Sequence, residues 1–386
     1  MEGPLSERLR WCPITCSNRP LLLVTANSPG EISYWLVPFL EALEIASPSL
    51  RVWVFAPPCQ FRSGWEEDAL WSLPLVERVF SPRETVAFCL GRGRVRFPPR
   101  GLVLFFGGDL LYARLLKRRS RYPLWVYDGY PRRLRGVDRY LARFLRDFHA
   151  ISFPEKIFLG DLLQSFVDHH PESMDLPPGS PRFLFLPGSR PFAYRYLLPF
   201  FLRCAEELVV RFPSGVFLLA FPGFLERSKV PFLGELTRVF LPFFGETSRL
   251  IEAADVVVTV PGSNNLEIFY RRKRGLVLVP LWREGLSEVP VTGFGEILGK
   301  IPLWGRILKE KVLERMVSSR KFLSLPNLVS GREVLPELKG DISVSEVVER
   351  VEELLAAEPP DWSFEDFPKG AAEKLVELVL EELYEG

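Results

Sequence analysis

Short apolar runs recur along the chain, and each is closed by glycine, proline, asparagine or serine. Leu21-Leu-Leu-Val-Thr25 runs into Ala26-Asn-Ser-Pro-Gly-Glu31, which predicts a buried strand, a turn and then a helix over 33–46. Strand signals return at 51–56, 101–106, 124–127 and 150–153. Gly107-Gly108-Asp109 closes the third run and leads into a helix that reaches Lys117. Strands alternating with helices predict βαβ units and a parallel sheet.

Leu176-Pro-Pro-Gly-Ser-Pro181 interrupts the series with the composition of a linker. The alternation then restarts, with a strand over 182–186, a helix over 194–211 and strands at 216–221, 255–259 and 275–280. A last helix is predicted over 371–383. The expected fold class is α/β, with one Rossmann-like domain over 1–178, a second over 179–358 and a C-terminal helical segment over 359–386.

Composition narrows the class. The 386 residues are 47% hydrophobic and 25% charged, a globular balance with length for two domains. With 49 basic and 48 acidic residues the net charge is +1, which argues against a general nucleic-acid binder. Cys12, Cys16, Cys59, Cys89 and Cys204 are odd in number and scattered, so reduced thiols in a cytoplasmic protein are expected and a zinc site is not. There is no apolar run of transmembrane length, and Met1–Arg10 lacks the apolar core of a signal peptide. Any membrane contact is expected to be peripheral.

Three later blocks are more specific. They are Leu186-Pro-Gly-Ser-Arg190, Val260-Pro-Gly-Ser-Asn-Asn-Leu-Glu267 and Phe322-Leu-Ser-Leu-Pro-Asn-Leu-Val-Ser-Gly-Arg-Glu-Val-Leu-Pro-Glu-Leu338. In this order and spacing the chain resembles the lipid-A-disaccharide synthases, inverting glycosyltransferases that join two acylated glucosamines using a UDP-activated donor. The resemblance runs over residues 21–355. Gly30-Glu31 stands at the family's Gly-Glu pair. The family continues that turn with a small residue, serine, glycine and aspartate, of which Ile32-Ser33-Tyr34-Trp35 keeps only the serine. Asp109, in Phe106-Gly-Gly-Asp-Leu110, matches the second aspartate of an Asp-x-Pro-Asp-Phe segment whose first aspartate and proline are absent here. His170 and Pro171 match a Val-Gly-His-Pro segment. The resemblance implies the GT-B architecture, two Rossmann-like domains with a cleft between them, with the C-terminal helix crossing back to the first domain.

It also implies a UDP-sugar donor on the second domain. Gly188, Ser189 and Arg190 lie between a strand and a helix, where backbone N–H groups and a guanidinium fork suit a pyrophosphate; without the family context the same residues make an ordinary turn. Gly262, Ser263, Asn264 and Asn265 form a second small-residue turn, and Glu267 is a candidate for ribose hydroxyls or for a favourable charge at a helix start. Asn327 and Glu333 are candidates for orienting the donor or for capping. Inverting transfer needs a base for the acceptor hydroxyl. Asp109, beyond the end of a strand, is the first candidate, with a helix N-cap as its competing role; Glu31 and His170 are the fallbacks. No Asp-x-Asp pattern stands out, so neither a metal nor another cofactor is expected.

Basic runs at 117–121, 132–135 and 271–274 read as solvated faces or as attraction for anionic headgroups or an acceptor phosphate. Within 299–321, Trp304, Ile307, Leu308, Val312 and Met316 recur at helical spacing among lysines and arginines. That is a basic amphipathic helix, suited to an anionic membrane surface or to packing on the domain. The expected function is transfer of a hexosamine, acylated or not, from a UDP-sugar to a lipid-linked or phosphorylated sugar acceptor at the inner face of the cytoplasmic membrane. The alternatives are another GT-B activity, such as a different glycolipid synthase or a UDP-sugar epimerase, and a non-catalytic homologue that binds UDP-sugar or lipid.

Overall fold

Strands rich in leucine, valine and phenylalanine, buried on both faces, build two parallel sheets. This is the burial that helices crossing over both faces of a parallel sheet impose. The computed structural model describes residues 19–58, 66–93, 95–128, 134–188, 191–223, 225–281, 319–358 and 367–385. The chain divides into two compact units, 1–169 with 364–386, and 170–363.

In the first unit the strands are β1 (Leu21–Thr25), β2 (Arg51–Phe55), β3 (Val76–Phe80), β4 (Gly101–Phe105), β5 (Leu124–Asp128), β6 (Arg139–Ala142) and β7 (Lys156–Phe158). Their order is β3-β2-β1-β4-β5-β6-β7. β1 lies at the centre and pairs in parallel with β2 and β4, Leu21 opposite Arg51 and Gly101. The first crossover begins with α1 (Pro29–Glu31), continues through a π-helical turn (Ile32–Leu36) and ends as α2 (Val37–Ala46). The sequence predicted one plain helix from Ser33. The remaining helices of this part are α3 (Glu66–Trp71), α4 (Pro82–Cys89), α5 (Leu110–Ser120), α6 (Leu145–Ala150) and α7 (Leu162–His169).

Leu22 and Val24 face one layer with α2, and Leu21 and Leu23 face the other with α4 and α5. The strand expected at 150–153 is absent. α6 ends at Ala150, with Ile151 N–H still bonded to Asp147 O, and β7 starts only at Lys156.

The second unit carries β8 (Arg182–Leu186), α8 (Pro191–Arg211), β9 (Val216–Phe221), α9 (Leu233–Leu236), β10 (Leu241–Phe244), α10 (Thr247–Ala253), β11 (Val256–Thr259) and α11 (Asn264–Tyr270). It continues with β12 (Arg274–Pro280), α12 (Leu325–Ser330), β13 (Glu337–Gly340) and α13 (Val344–Ala356). The strand order is β10-β9-β8-β11-β12-β13, again parallel. The segment read as a linker belongs to this unit: Met174 and Leu176 pack against its core, and Ser180 N–H bonds Ser214 O. The last helix, α14 (Ala371–Tyr384), returns to the first unit, where Ala372, Leu375, Val379 and Leu383 are buried with α2 and α7. Among the described residues no helix is long and apolar enough to cross a membrane.

Candidate functional site

In an open parallel sheet, ligands bind where the strand order reverses, because successive crossovers leave toward opposite faces and open a crevice at the strand ends. The first sheet reverses between β1 and β4, and the second between β8 and β11. The turns that the sequence singled out come directly after these four strands.

At the end of β1, Glu31 folds back on its own turn. Its Oε2 accepts from Asn27 N–H at 2.9 Å and Ser28 N–H at 3.1 Å, and Ser28 Oγ accepts from Glu31 N–H, a capping box for the next helix. Thr25 O ties the two turns together by accepting from Phe106 N–H and Gly107 N–H. A Cβ on Gly107 would lie 1.9 Å from Glu31 Cδ, so only glycine lets this carboxylate rest on the β4 turn. Phe106, where the family has its first aspartate, is 1% exposed and packs on Phe39 and Tyr127, a setting that would strand a carboxylate.

Asp109 is exposed and caps α5, its Oδ1 accepting from Leu111 N–H at 2.9 Å. The capping role weighed against catalysis is therefore present. It uses one oxygen; among the described residues nothing is bonded to Oδ2. His170 lies in the second unit, and its backbone O accepts from Arg271 Nη2 at 2.9 Å.

At the second reversal, Gly188 takes a φ of +83°, and a Cβ there would lie 3.2 Å from Val260 Cγ2. Its carbonyl accepts from Tyr194 Oη at 2.8 Å. Ser189 and Arg190 lie outside the described residues. Across the reversal, Asn265 is fully buried and shapes its own turn: Oδ1 accepts from Gly262 N–H at 3.0 Å and Nδ2 donates to Val260 O at 3.1 Å. Gly262 is exposed at the rim, with Ser263 and Asn264 half-buried beside it.

Two donor-side expectations change on geometry. Glu267 is fully buried, and its Oε1 accepts from Ser248 Oγ and from Arg271 Nε at 3.0 Å. Arg271 also reaches Glu252 at 3.0 Å, Ser248 Oγ at 2.8 Å and the His170 carbonyl. Glu267 thus sits in a buried ion network with α10, and Arg271, read as part of a basic surface run, is buried with it. Asn327 is fully buried and fully used: Oδ1 accepts from Val334 and Leu335 N–H, and Nδ2 donates to Leu335 O and Glu337 Oε1. An amide has two donors and an acceptor oxygen with two lone pairs, so none of its capacity remains for a sugar. Glu333 is exposed.

The other basic runs are partly structural too. Lys117 pairs with Asp138 at 2.6 Å, and the Arg119 guanidinium lies 3.9 Å over the Phe88 ring. Arg132, Arg133 and the Trp304–Met316 stretch lie outside the described residues. Burial pushes the Cys89 thiol up to about 11 and the Cys204 thiol up to about 12, which removes both as nucleophiles at neutral pH. The sequence reading missed Asn27, Ser248 and Glu337. The signal for Asn27 was its place in the turn after the first strand; the other two needed contacts distant in sequence.

No family model matches the chain. The chain resembles the lipid-A-disaccharide synthases. The protein of that name from Anaeromyxobacter sp. (strain K) is 24% identical over 304 residues, covering 73% of this chain and 72% of that protein. The one from Anaeromyxobacter dehalogenans (strain 2CP-C) has the same identity and coverage. In fold the chain is similar to UDP-GlcNAc 2-epimerase from Methanocaldococcus jannaschii, with a TM-score of 0.54 at 11% identity over 93% of this chain and 99% of that one. UDP-GlcNAc 2-epimerase from Neisseria meningitidis, bound to UDP-GlcNAc, gives 0.53 at 13% identity over 94% and 100%. The fold class is GT-B, two Rossmann-like α/β units.

Proposed function

We propose that this chain is a divergent member of the lipid-A-disaccharide synthase family, a glycosyltransferase that binds a UDP-hexosamine on its second unit and transfers the sugar to a lipid-linked or phosphorylated sugar acceptor bound on its first. The observation that carries the reading is positional. The described parts of the turns that resemble the family, at 30–31 and 107–109 and at 187–188 and 260–264, fall at the strand-order reversal of each sheet.

In this reading Asp109 is the base. The Leu111 N–H fixes one carboxylate oxygen, and the other takes the proton of the acceptor hydroxyl. The acceptor oxygen bonds to the sugar C1 while the C1–O bond to UDP breaks on the opposite face, and UDP leaves with the electron pair. Backbone N–H groups of the Gly188 and Gly262 turns, with the Arg190 guanidinium, are the proposed partners of the departing pyrophosphate. Glu31 holds the turn after β1, and Glu267 ties α11, the helix after the donor turn, to Ser248 of α10 and to Arg271. A second reading, UDP-sugar epimerisation, is favoured by the fold similarity to UDP-GlcNAc 2-epimerases.

Binding of the nucleotide is tested by thermal unfolding. A ligand that binds only the native state at 100 times its Kd stabilises it by about 2.7 kcal/mol. UDP should therefore raise Tm, GDP should do so much less, and Arg190→Ala should weaken the UDP effect. Equal shifts with UDP and GDP would overturn the uridine assignment.

A further inference from the structure

Where the first sheet reverses its strand order, one buried polar side chain is only half used. Asn27 is 7% exposed. Its side chain makes a single hydrogen bond, a long one of 3.4 Å from Nδ2 to Pro57 O. Because that carbonyl can only accept, the amide nitrogen must face it and Oδ1 is turned away. Among the described residues Oδ1 has no hydrogen-bond partner. Two residues earlier, the fully buried Thr25 Oγ1 also has none. Each buried polar atom left unpaired costs about 1–3 kcal/mol, and native proteins leave few of them. Unlike Thr25 Oγ1, Asn27 Oδ1 keeps contact with solvent, so it is open to a group that arrives from outside.

The β4 turn is shaped to make room. Gly108 has a φ of +87°, and a Cβ there would lie 2.9 Å from Pro57 Cγ and 3.2 Å from Asn27 Nδ2. Gly107 is taken up by the Glu31 carboxylate, and Gly108 by the Pro57 ring with the Asn27 amide beside it. Two polar side chains from the β1 turn therefore rest on the two glycines that precede Asp109. A bond of 3.4 Å lies beyond the usual range, so Asn27 contributes little to holding this arrangement.

We infer that Asn27 contacts the acceptor, its Oδ1 accepting a hydrogen bond from a hydroxyl of the acceptor sugar; this rests on the transfer reading above. An amide oxygen suits a neutral O–H donor and repels a phosphate, which offers only acceptors at neutral pH. Asn27 therefore reads the sugar ring and not the acceptor's anionic group.

The test uses the full chain with a saturating UDP-activated acylated glucosamine and an acylated glucosamine phosphate as the varied acceptor. Asn27→Ala should raise the acceptor KM about tenfold, the usual effect of one lost hydrogen bond, while the donor KM and Tm stay unchanged. Asn27→Asp keeps the accepting oxygen and should recover part of the loss. An Ala variant with wild-type acceptor KM would overturn the assignment and leave the transfer reading standing. A fall in Tm with both KM values moving would make Asn27 a fold residue and overturn it equally. A wild-type protein that transfers nothing would overturn the transfer reading and this inference with it.

Discussion

In the proposed reaction Asp109 would divide two roles between its two oxygens. Oδ1 caps α5 through Leu111 N–H, which fixes the side-chain rotamer, and the exposed residue stands at the strand-order reversal. Asparagine is as good an N-cap as aspartate but cannot take a proton. Asp109→Asn should therefore keep the fold and the affinity for UDP while lowering turnover by about 100-fold or more, the contribution expected of a general base. Wild-type turnover in that variant would leave Asp109 as a cap alone. Glu31, the fallback base, differs in that its Oε2 is held by two backbone N–H groups of its own turn. Sequence could place both carboxylates at strand ends. It could not separate their roles, because the distinction lies in which backbone groups each oxygen meets.

At the scale of elements, the block Phe322–Leu338 was the strongest family signal, and its structure explains much of why. It is a clasp that joins α12 to β13. Glu337 accepts from Leu323 N–H, Ser324 N–H and Oγ, and Asn327 Nδ2, and pairs with Lys339 at 3.0 Å. Burial pushes the Glu337 carboxyl up, but the Ser324 and Leu323 donors and the Lys339 ammonium outweigh it and hold the group below its usual range. A folded pKa below the unfolded value of about 4.3 gives stability that is complete above that pH. The stability is lost as pH falls through the folded pKa. Glu337→Gln should lower the urea midpoint at neutral pH and flatten its decline below about pH 4.3; a variant curve parallel to wild type would contradict the clasp.

The same scale marks what sequence could and could not reveal. β1, β2, β4, β8, β9, β11 and β12 were legible because strands covered on both faces are continuous apolar runs. β6 and β7 were not: Arg139-Tyr-Leu-Ala142 and Lys156-Ile-Phe158 leave apolar runs of only three and two residues. The π-helical turn at Ile32–Leu36 left no period that an ordinary helix lacks. Arg271 looked like a surface charge because its partners Glu252 and Ser248 come from another helix, although Glu267, four residues back on one helix face, was a visible hint.

For the whole molecule, two parallel-sheet units, each with candidate turns at its own reversal point, suit the handling of a nucleotide sugar and an acceptor by separate parts of one chain. The central claim is that the sugar leaves UDP for an acceptor hydroxyl, whereas an epimerase returns the sugar still attached to UDP. Mass spectrometry and NMR of the products from a UDP-activated acylated glucosamine, with and without an acylated glucosamine phosphate, separate the two. Transfer predicts free UDP and a new glycosidic bond, both only when the acceptor is present. An epimerised UDP-sugar formed without acceptor, or no change in either mixture, would contradict the account.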